Sequence, residues 1–320
     1  MNKLSIIIPV YYNEKNLPSL YADLQEKVLN HLENYEIVMV DDGSGDNSWK
    51  EMNQLKKLDK NIQLIKLSRN FGSHAAILAG YLNCTGDCAV VKAADLQEPS
   101  ELILEMFESW KKGNKVVLAV RSGREESFFR KLFADIYYWM MKKFAISSMP
   151  EGGFDTFLID RKVIEVLRLL DERNSAITLQ ILWAGFKTDK IYYVRKAREI
   201  GESKWTLSKK IKLVVDSLLG FSFTPIRAIL GVGASIFGIA ILATIYLIFN
   251  KLFLGVSVEG WTSLMVLILF TFGTIMLTLG ILGEYIWRSF DAARNRPTYI
   301  IDEVIGQDNS GKEKNKVSNV

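Results

Sequence analysis

Cysteine and histidine are nearly absent. The 320 residues hold two of each, Cys84 and Cys88 with His31 and His74. A disulfide framework and a zinc finger of familiar ligand spacing are therefore excluded, and two small buried thiols in a reducing compartment are expected. A surplus of one charge is also lacking. Forty Lys+Arg against 36 Asp+Glu leave a net charge of +4, too little for a charge-driven footprint on nucleic acid, so no nucleic-acid partner is expected. No G-x-x-x-x-G-K-[ST] occurs, and no G-x-G-x-x-G follows the first apolar run. That argues against a P-loop nucleotidase and a dinucleotide-binding dehydrogenase. The apolar stretch before Pro9 is shorter than a signal-peptide core, which predicts a cytoplasmic N-terminal part.

Long apolar runs are present, and they are confined to one region. Between Arg227 and Lys251 lie 23 uncharged residues, and between Glu259 and Glu284 lie 24. Each run makes a helix about 35 Å long, enough to cross a hydrocarbon core. Core helices rarely reach that length without a polar face. Two spans are expected at about 228–250 and 260–283, joined as a hairpin by the short link Asn250–Glu259. Lys204, Lys209, Lys210, Lys212, Arg227, Arg288, Arg294 and Arg296 flank the pair, whereas the link carries only Lys251. This asymmetry puts residues 1–225 and both termini on the cytoplasmic side of the inner membrane. Residues 206–225, lysines followed by an apolar face, read as an interfacial helix. Residues 128–145 suit either an interfacial helix or an amphipathic helix packed on the domain. The polar tail within 289–320 is expected to be disordered from about Asp302.

Residues 1–121 alternate short β-rich runs (4–10, 36–40, 62–67, 88–93, 115–120) with helical stretches (17–33, 48–58, 74–83, 100–112). The expected fold is α/β: a mostly parallel, Rossmann-like sheet with helices on both faces and ligands at the carboxyl ends of the strands. Acidic clusters stand at three of those ends: Tyr11-Tyr12-Asn13-Glu14, Asp41-Asp42-Gly43-Ser44 and Asp95-Leu96-Gln97-Glu98. Each alone is a good turn or helix start. Gathered on one edge they would repel unless a cation or polyhydroxyl ligand joined them.

Pro9-Val10-Tyr11-Tyr12-Asn13-Glu14, Asp41-Asp42-Gly43-Ser44, Ser68-Arg69-Asn70-Phe71-Gly72, Ala94-Asp95-Leu96-Gln97-Glu98-Pro99 and Gly201-Glu202-Ser203-Lys204-Trp205 occur in that order. As a set, over about residues 4–300, they resemble the family 2 glycosyltransferases of GT-A fold. Within these the chain is most similar to the polyprenyl-phosphate sugar transferases, the bactoprenol glucosyltransferases and dolichol-phosphate mannose synthase. Gly283-Glu284-Tyr285 and Arg296-Pro297-Thr298-Tyr299 resemble the bactoprenol branch.

The resemblance implies a cytoplasmic catalytic domain over 1–205, a nucleotide sugar as donor and polyprenyl phosphate, such as undecaprenyl phosphate, as acceptor. The implied base is uracil, with guanine the alternative. Tyr11, Glu14, Asp41 and Asp42 would hold the nucleoside, and Pro9, Arg69 and Ser203 lie in the matching substrate-binding motifs. Asp95 and Gln97 match the positions that hold Mg²⁺ or Mn²⁺ on the diphosphate, a fitting oxygen donor set. Many relatives have an aspartate where Ala93 stands here. Among nearby cations, Arg121 and Lys204 are the expected phosphate contacts. Arg130 and Lys131 serve either the acceptor or lipid headgroups. Asp155 would orient the donor sugar, and Asp160 would cap a helix over 161–170.

The expected reaction is inverting transfer of one sugar. A phosphate acceptor is largely dianionic at neutral pH and needs placement more than proton removal. A processive synthase is disfavoured because Gln180-Ile181-Leu182-Trp183 lacks that class's arginine. Ala93 keeps open a catalytically degenerate membrane scaffold. A two-span anchor also allows a homo-oligomer.

Overall fold

The computed structural model describes residues 2–123, 138–150, 152–170, 176–194, 224–249 and 260–306, with isolated positions between 214 and 253. The first strand, β1 (Leu4–Val10), is an apolar run buried on both faces, as central parallel strands are. Then follow α1 (Leu17–Lys27), a 3₁₀ turn (Leu29–His31), β2 (Tyr35–Asp41), α2 (Ser48–Leu58), β3 (Ile62–Leu67), α3 (Ser73–Asn83), β4 (Cys88–Val91), α4 (Leu102–Lys111) and β5 (Val116–Gly123). A helix over 138–144 is α5. After it come β6 (Phe154–Asp160), α6 (Arg161–Leu169), α7 (Ile177–Trp183), β7 (Thr188–Val194), α8 (Thr224–Phe249), α9 (Trp261–Ala293) and β8 (Ile301–Ile305).

All eight strands form one sheet in the order β7-β5-β6-β4-β1-β2-β3-β8. The block β4-β1-β2-β3 is parallel, β5 runs parallel to β7, and β6 and β8 are antiparallel to their neighbours. Alternate side chains feed opposite faces. Ile7, Val38, Val40 and Ile65 pack with α3, α6 and α7, whereas Ile6, Ile8, Ile37 and Met39 pack with α1, α2 and α4. The expected mixed α/β sheet is thus observed. The expected 17–33 helix ends at Lys27, and β4 stops at Val91 rather than at 93.

The base of the sheet, away from the strands' carboxyl ends, is tied by one buried carboxylate. Glu36 accepts from Ser5 Oγ (2.6 Å), Thr85 Oγ1 (2.7 Å) and Lys3 Nζ (3.1 Å), joining β1, β2 and the turn into β4. Burial pushes its pKa up, but these donors together hold it below the ordinary value. Asp160 does cap α6, accepting from Lys162 N at 3.0 Å.

The sheet opens where its order reverses. β1 passes to β2 and β3 on one side, and the chain then returns to place β4 on the other. Pairing of β1 with β4 ends at Ile7 and Val91, while β1 continues beside β2 to Val10 and Asp41. Pro9, with no N–H to donate, sits in this last stretch. A crevice at the carboxyl ends of β1 and β4 is the ligand position in open sheets of this kind.

The tail departs from expectation. Residues 302–305 are not disordered, because β8 pairs with the otherwise open edge of β3 and Ser68 N donates to Ile300 O at 3.0 Å. Before it, α8 and α9 run 26 and 33 residues and expose Leu230, Leu242, Phe270 and Ile286. Among the described residues, the segment Phe270–Ala293 is long and apolar enough to cross a membrane. Thr271, Thr274 and Thr278 return their hydroxyls to carbonyls four residues back at 2.8–2.9 Å, which suits an apolar medium.

Candidate active site

Three loops meet at the crevice, and backbone-to-side-chain bonds stitch them together. Tyr12 N and Asn13 N donate to Ser44 Oγ (3.1 Å) and Ser48 Oγ (2.9 Å). Glu14 Oε2 accepts from Asn47 N (2.9 Å) and Asn47 Nδ2 (3.1 Å). Glu14 therefore braces the loop after β1 against the loop after β2. Tyr11 stands edge-on to Tyr12, ring centroids 4.7 Å apart.

The paired aspartates after β2 divide their work. Asp42 is buried, and its two oxygens accept from Phe71 N (2.7 Å) and Gly72 N (2.9 Å). Its carboxylate is thus committed to holding the loop that follows β3. Gly43, at φ +69°, fits against that loop, where a Cβ would lie 2.6 Å from the Arg69 carbonyl carbon. Arg69 itself is exposed, its guanidinium 4.2 Å from the centroid of the Phe71 ring.

Asp41 differs. It is fully buried; Oδ1 accepts from Ser44 N at 3.2 Å, while Oδ2 has no partner among the described residues. Burial raises its pKa above the ordinary carboxylate value, as it does for Asp42. A buried acceptor without a donor is costly to leave so. At the carboxyl end of β2, beside the crevice, it suits a ligand N–H or O–H.

The loop after β4 carries Asp95 and Gln97, both partly exposed. Gln97 N lies 3.4 Å from Asp95 Oδ1, and Leu96 adopts φ +56°. No group of three His, Cys, Asp or Glu side chains suited to a metal occurs among the described residues. Asp95 and Gln97 would offer one carboxylate and one amide oxygen, hard ligands of the kind Mg²⁺ and Mn²⁺ take. Lys92, just before this loop, is 1% exposed, and desolvation lowers its pKa. The sequence motifs did not single it out. Its signal was an ammonium closing the apolar run Cys-Ala-Val-Val.

Arg121 at the end of β5 is largely buried and ion-paired with Asp155 at the start of β6. Its Nε has no hydrogen-bond partner among the described residues. Gly152, at φ +88°, passes the Arg121 carbonyl so closely that a Cβ would sit 2.8 Å from it. The structure thus brings Pro9, Tyr11, Glu14, Asp41, Asp42 and Arg69 to the adjoining ends of β1, β2 and β3, Asp95 and Gln97 to that of β4, and Arg121 with Asp155 to those of β5 and β6. Arg130, Lys131, Ser203 and Lys204 lie outside the described residues.

The family model described as Glycosyl transferase family 2 matches residues 5–167. An uncharacterized glycosyltransferase, YkcC, of Bacillus subtilis (strain 168) is 39% identical over 306 residues, 95% of each chain. The prophage bactoprenol glucosyl transferase homolog of Escherichia coli (strain K12) is 33% identical over 305 residues, 94% of this chain and 99% of that one. The bactoprenol glucosyl transferase of Shigella phage SfV is 34% identical over 302 residues, 93% and 98% of the two chains. With the family's domain beginning in β1 and ending in α6, and relatives matching almost end to end, this chain belongs to glycosyl transferase family 2 and is a glycosyltransferase.

Proposed function

We propose that the enzyme moves one sugar from a nucleoside diphosphate, uracil being the base, to a polyprenyl phosphate at the cytoplasmic membrane face, inverting the anomeric carbon. The observation that carries the donor reading is the unpartnered buried Asp41 Oδ2, an acceptor for a nucleoside N–H or O–H. The acceptor reading draws support from relatives named for bactoprenol glucosyl transfer.

In the proposed step an acceptor phosphate oxygen attacks the anomeric carbon as its bond to the donor diphosphate breaks, and the electron pair leaves with the nucleoside diphosphate. The acceptor is largely dianionic near pH 7, so no general base is required. Asp95 and Gln97 would hold a divalent cation, which when bound neutralises charge on the departing diphosphate. Arg121, fixed by Asp155, supplies a cation for phosphate oxygens; Lys204 and Ser203 join it from the Gly201–Trp205 segment, with Arg130 and Lys131 near the acceptor. Asp155 thereby acts by holding Arg121 and by facing the donor sugar. Tyr11 and Pro9 border the nucleoside, while Glu14, Asp42 and Arg69 keep its loops in place.

For the membrane part we propose the two-helix hairpin α8–α9, preceded by the interfacial segment 206–225. Its support is topological. The chain leaves the sheet at Val194 and re-enters it at Ile301, so any crossings in between must be even in number. The basic flanks and the single Lys251 of the link orient both ends to the cytoplasm.

Nucleotide binding tests the donor reading. Calorimetry with detergent-solubilised enzyme and Mn²⁺ is expected to give saturable binding of UDP, tighter than GDP. Equal binding of both nucleotides would contradict the choice of uracil, and absent binding of both would contradict the assignment of Asp41.

A further inference from the structure

Lysine is almost never fully buried without partners, because removing an ammonium from water is costly. Lys92 is nevertheless among the largest fully buried side chains of the protein. Just past the end of β4 its backbone still bonds to β1, Lys92 N donating to Ile7 O at 2.9 Å. Its Nζ reaches across the following turn and donates to the main-chain carbonyl of Glu98. The ammonium therefore closes a loop whose interior holds Ala93, Ala94, Asp95, Leu96 and Gln97.

The surroundings of that contact are charged on several sides. Glu98, Asp23 of α1, Asp95 and Glu101 all act on Lys92 electrostatically. Asp23 is already engaged, accepting from Ser100 Oγ at 2.5 Å and pairing with Lys27 at 2.6 Å, and Lys27 also reaches Glu101 at 3.3 Å. These bonds anchor the far end of the loop at 98–101 to α1. The near end is anchored by β1. Between the two anchors, Leu96 holds the left-handed conformation that turns Asp95 and Gln97, a strained arrangement for a branched side chain that needs support from around it.

Resting on the donor-site reading above, we infer that Lys92 is a positioning residue: its buried ammonium straps the 93–98 turn and so sets Asp95 and Gln97 where the donor diphosphate binds. It touches neither donor nor acceptor. The strap acts through the Glu98 carbonyl, so what it requires at position 92 is a long side chain ending in a hydrogen-bond donor. A methionine has the length without the donor; it also removes the ammonium beside the buried Glu98 carboxylate, and deleting one partner of a buried charge pair is destabilising.

The test compares Lys92→Met and Lys92→Gln with the wild type by thermal midpoint, hydrogen exchange and UDP titration in the presence of Mn²⁺. Lys92→Met is expected to fold with a lowered thermal midpoint, to exchange faster over 93–99 but not over β1 or β2 when assayed well below that midpoint, and to weaken UDP binding about tenfold, as loss of a supporting residue does. Lys92→Gln, which restores a neutral donor, is expected to recover part of both effects. Wild-type exchange and wild-type UDP affinity in Lys92→Met would overturn the inference. So would failure of Lys92→Met to fold, which would make the lysine a folding determinant. Hydrogen exchange reads the strap independently of the ligand. A wild type that binds no UDP would therefore defeat the donor reading, leaving the strap to be judged by exchange alone.

Discussion

Asp95→Asn is expected to lower transfer by about a thousandfold, near 4 kcal/mol of transition-state stabilisation. The substitution is nearly isosteric. The new amide retains the oxygen that faces Gln97 N, 3.4 Å away in the wild type, so the turn and the thermal midpoint should survive. What disappears is one negative charge in a donor set that has only one carboxylate, since Ala93 contributes none. Hard divalent cations depend strongly on ligand charge. The Mn²⁺ concentration for half-maximal activity should therefore rise along with the fall in rate. Turnover close to wild type at saturating Mn²⁺ would remove Asp95 from the metal site.

The second large effect belongs to Asp41. Asp41→Asn turns the unpartnered Oδ2 position into an amide that donates, against a ligand group that also donates. Loss of a hydrogen bond to a charged acceptor, with the mismatch left behind, should weaken UDP binding about a hundredfold, near 3 kcal/mol. The fold should not suffer. Burial raises the folded-state pKa of Asp41 above 3.8, with Asp46 adding to the rise and Ser44 and Lys66 opposing it. The native state thus binds this proton more tightly than the unfolded chain. Ionised Asp41 costs stability above its folded pKa, and the cost is relieved as pH falls through that value. A neutral amide removes the cost, so the variant's thermal midpoint at neutral pH should equal or exceed the wild type's. The same shift gives a pH signature: wild-type UDP affinity should begin to fall on acidification at a pH above the ordinary carboxylate range, relative to Asp41→Asn, in which the ligand's own titration is shared and cancels. Parallel pH profiles for the two proteins would place the critical proton elsewhere.

Much of the fold was legible because its central strands are apolar on both faces. Leu4–Val10 and Ile62–Leu67 match their sequence reading at both ends, since no alternation was needed to find them. The edge strands were hidden for the opposite reason. β7 opens on Thr188, Asp189 and Lys190 before its apolar residues, and β8 carries Asp302 and Glu303 in a polar tail. Pairing with an open neighbour, not composition, makes them strands. β6 continues straight into α6 through a capping Asp160; the cap and the helix after it were legible, the strand before them was not.

The site divides in the same way. Acidic turns at strand ends are local features, and the sequence shows them. Which carboxylate faces a ligand and which braces a loop depends on partners far along the chain. Asp42 is taken by Phe71 and Gly72, and Glu14 by Asn47; neither commitment can be read from the motifs that contain them. Arg121 and Asp155, both expected to meet substrate, are first of all partners of each other. Lys92 reaches only six residues ahead, yet its role is invisible in the sequence, because a lysine's burial shows only once the groups packed around it are known.

Sugar transfer to a lipid phosphate is tested most directly by incubating the purified enzyme with undecaprenyl phosphate and a panel of radiolabelled UDP- and GDP-sugars, with Mn²⁺ and with chelator. The expected result is organic-phase label from one donor, dependent on added lipid and lost on chelation. No labelled lipid from any donor, in a sample that is folded and binds UDP, would contradict the account and leave a nucleotide-binding membrane protein in which Ala93 marks lost catalysis.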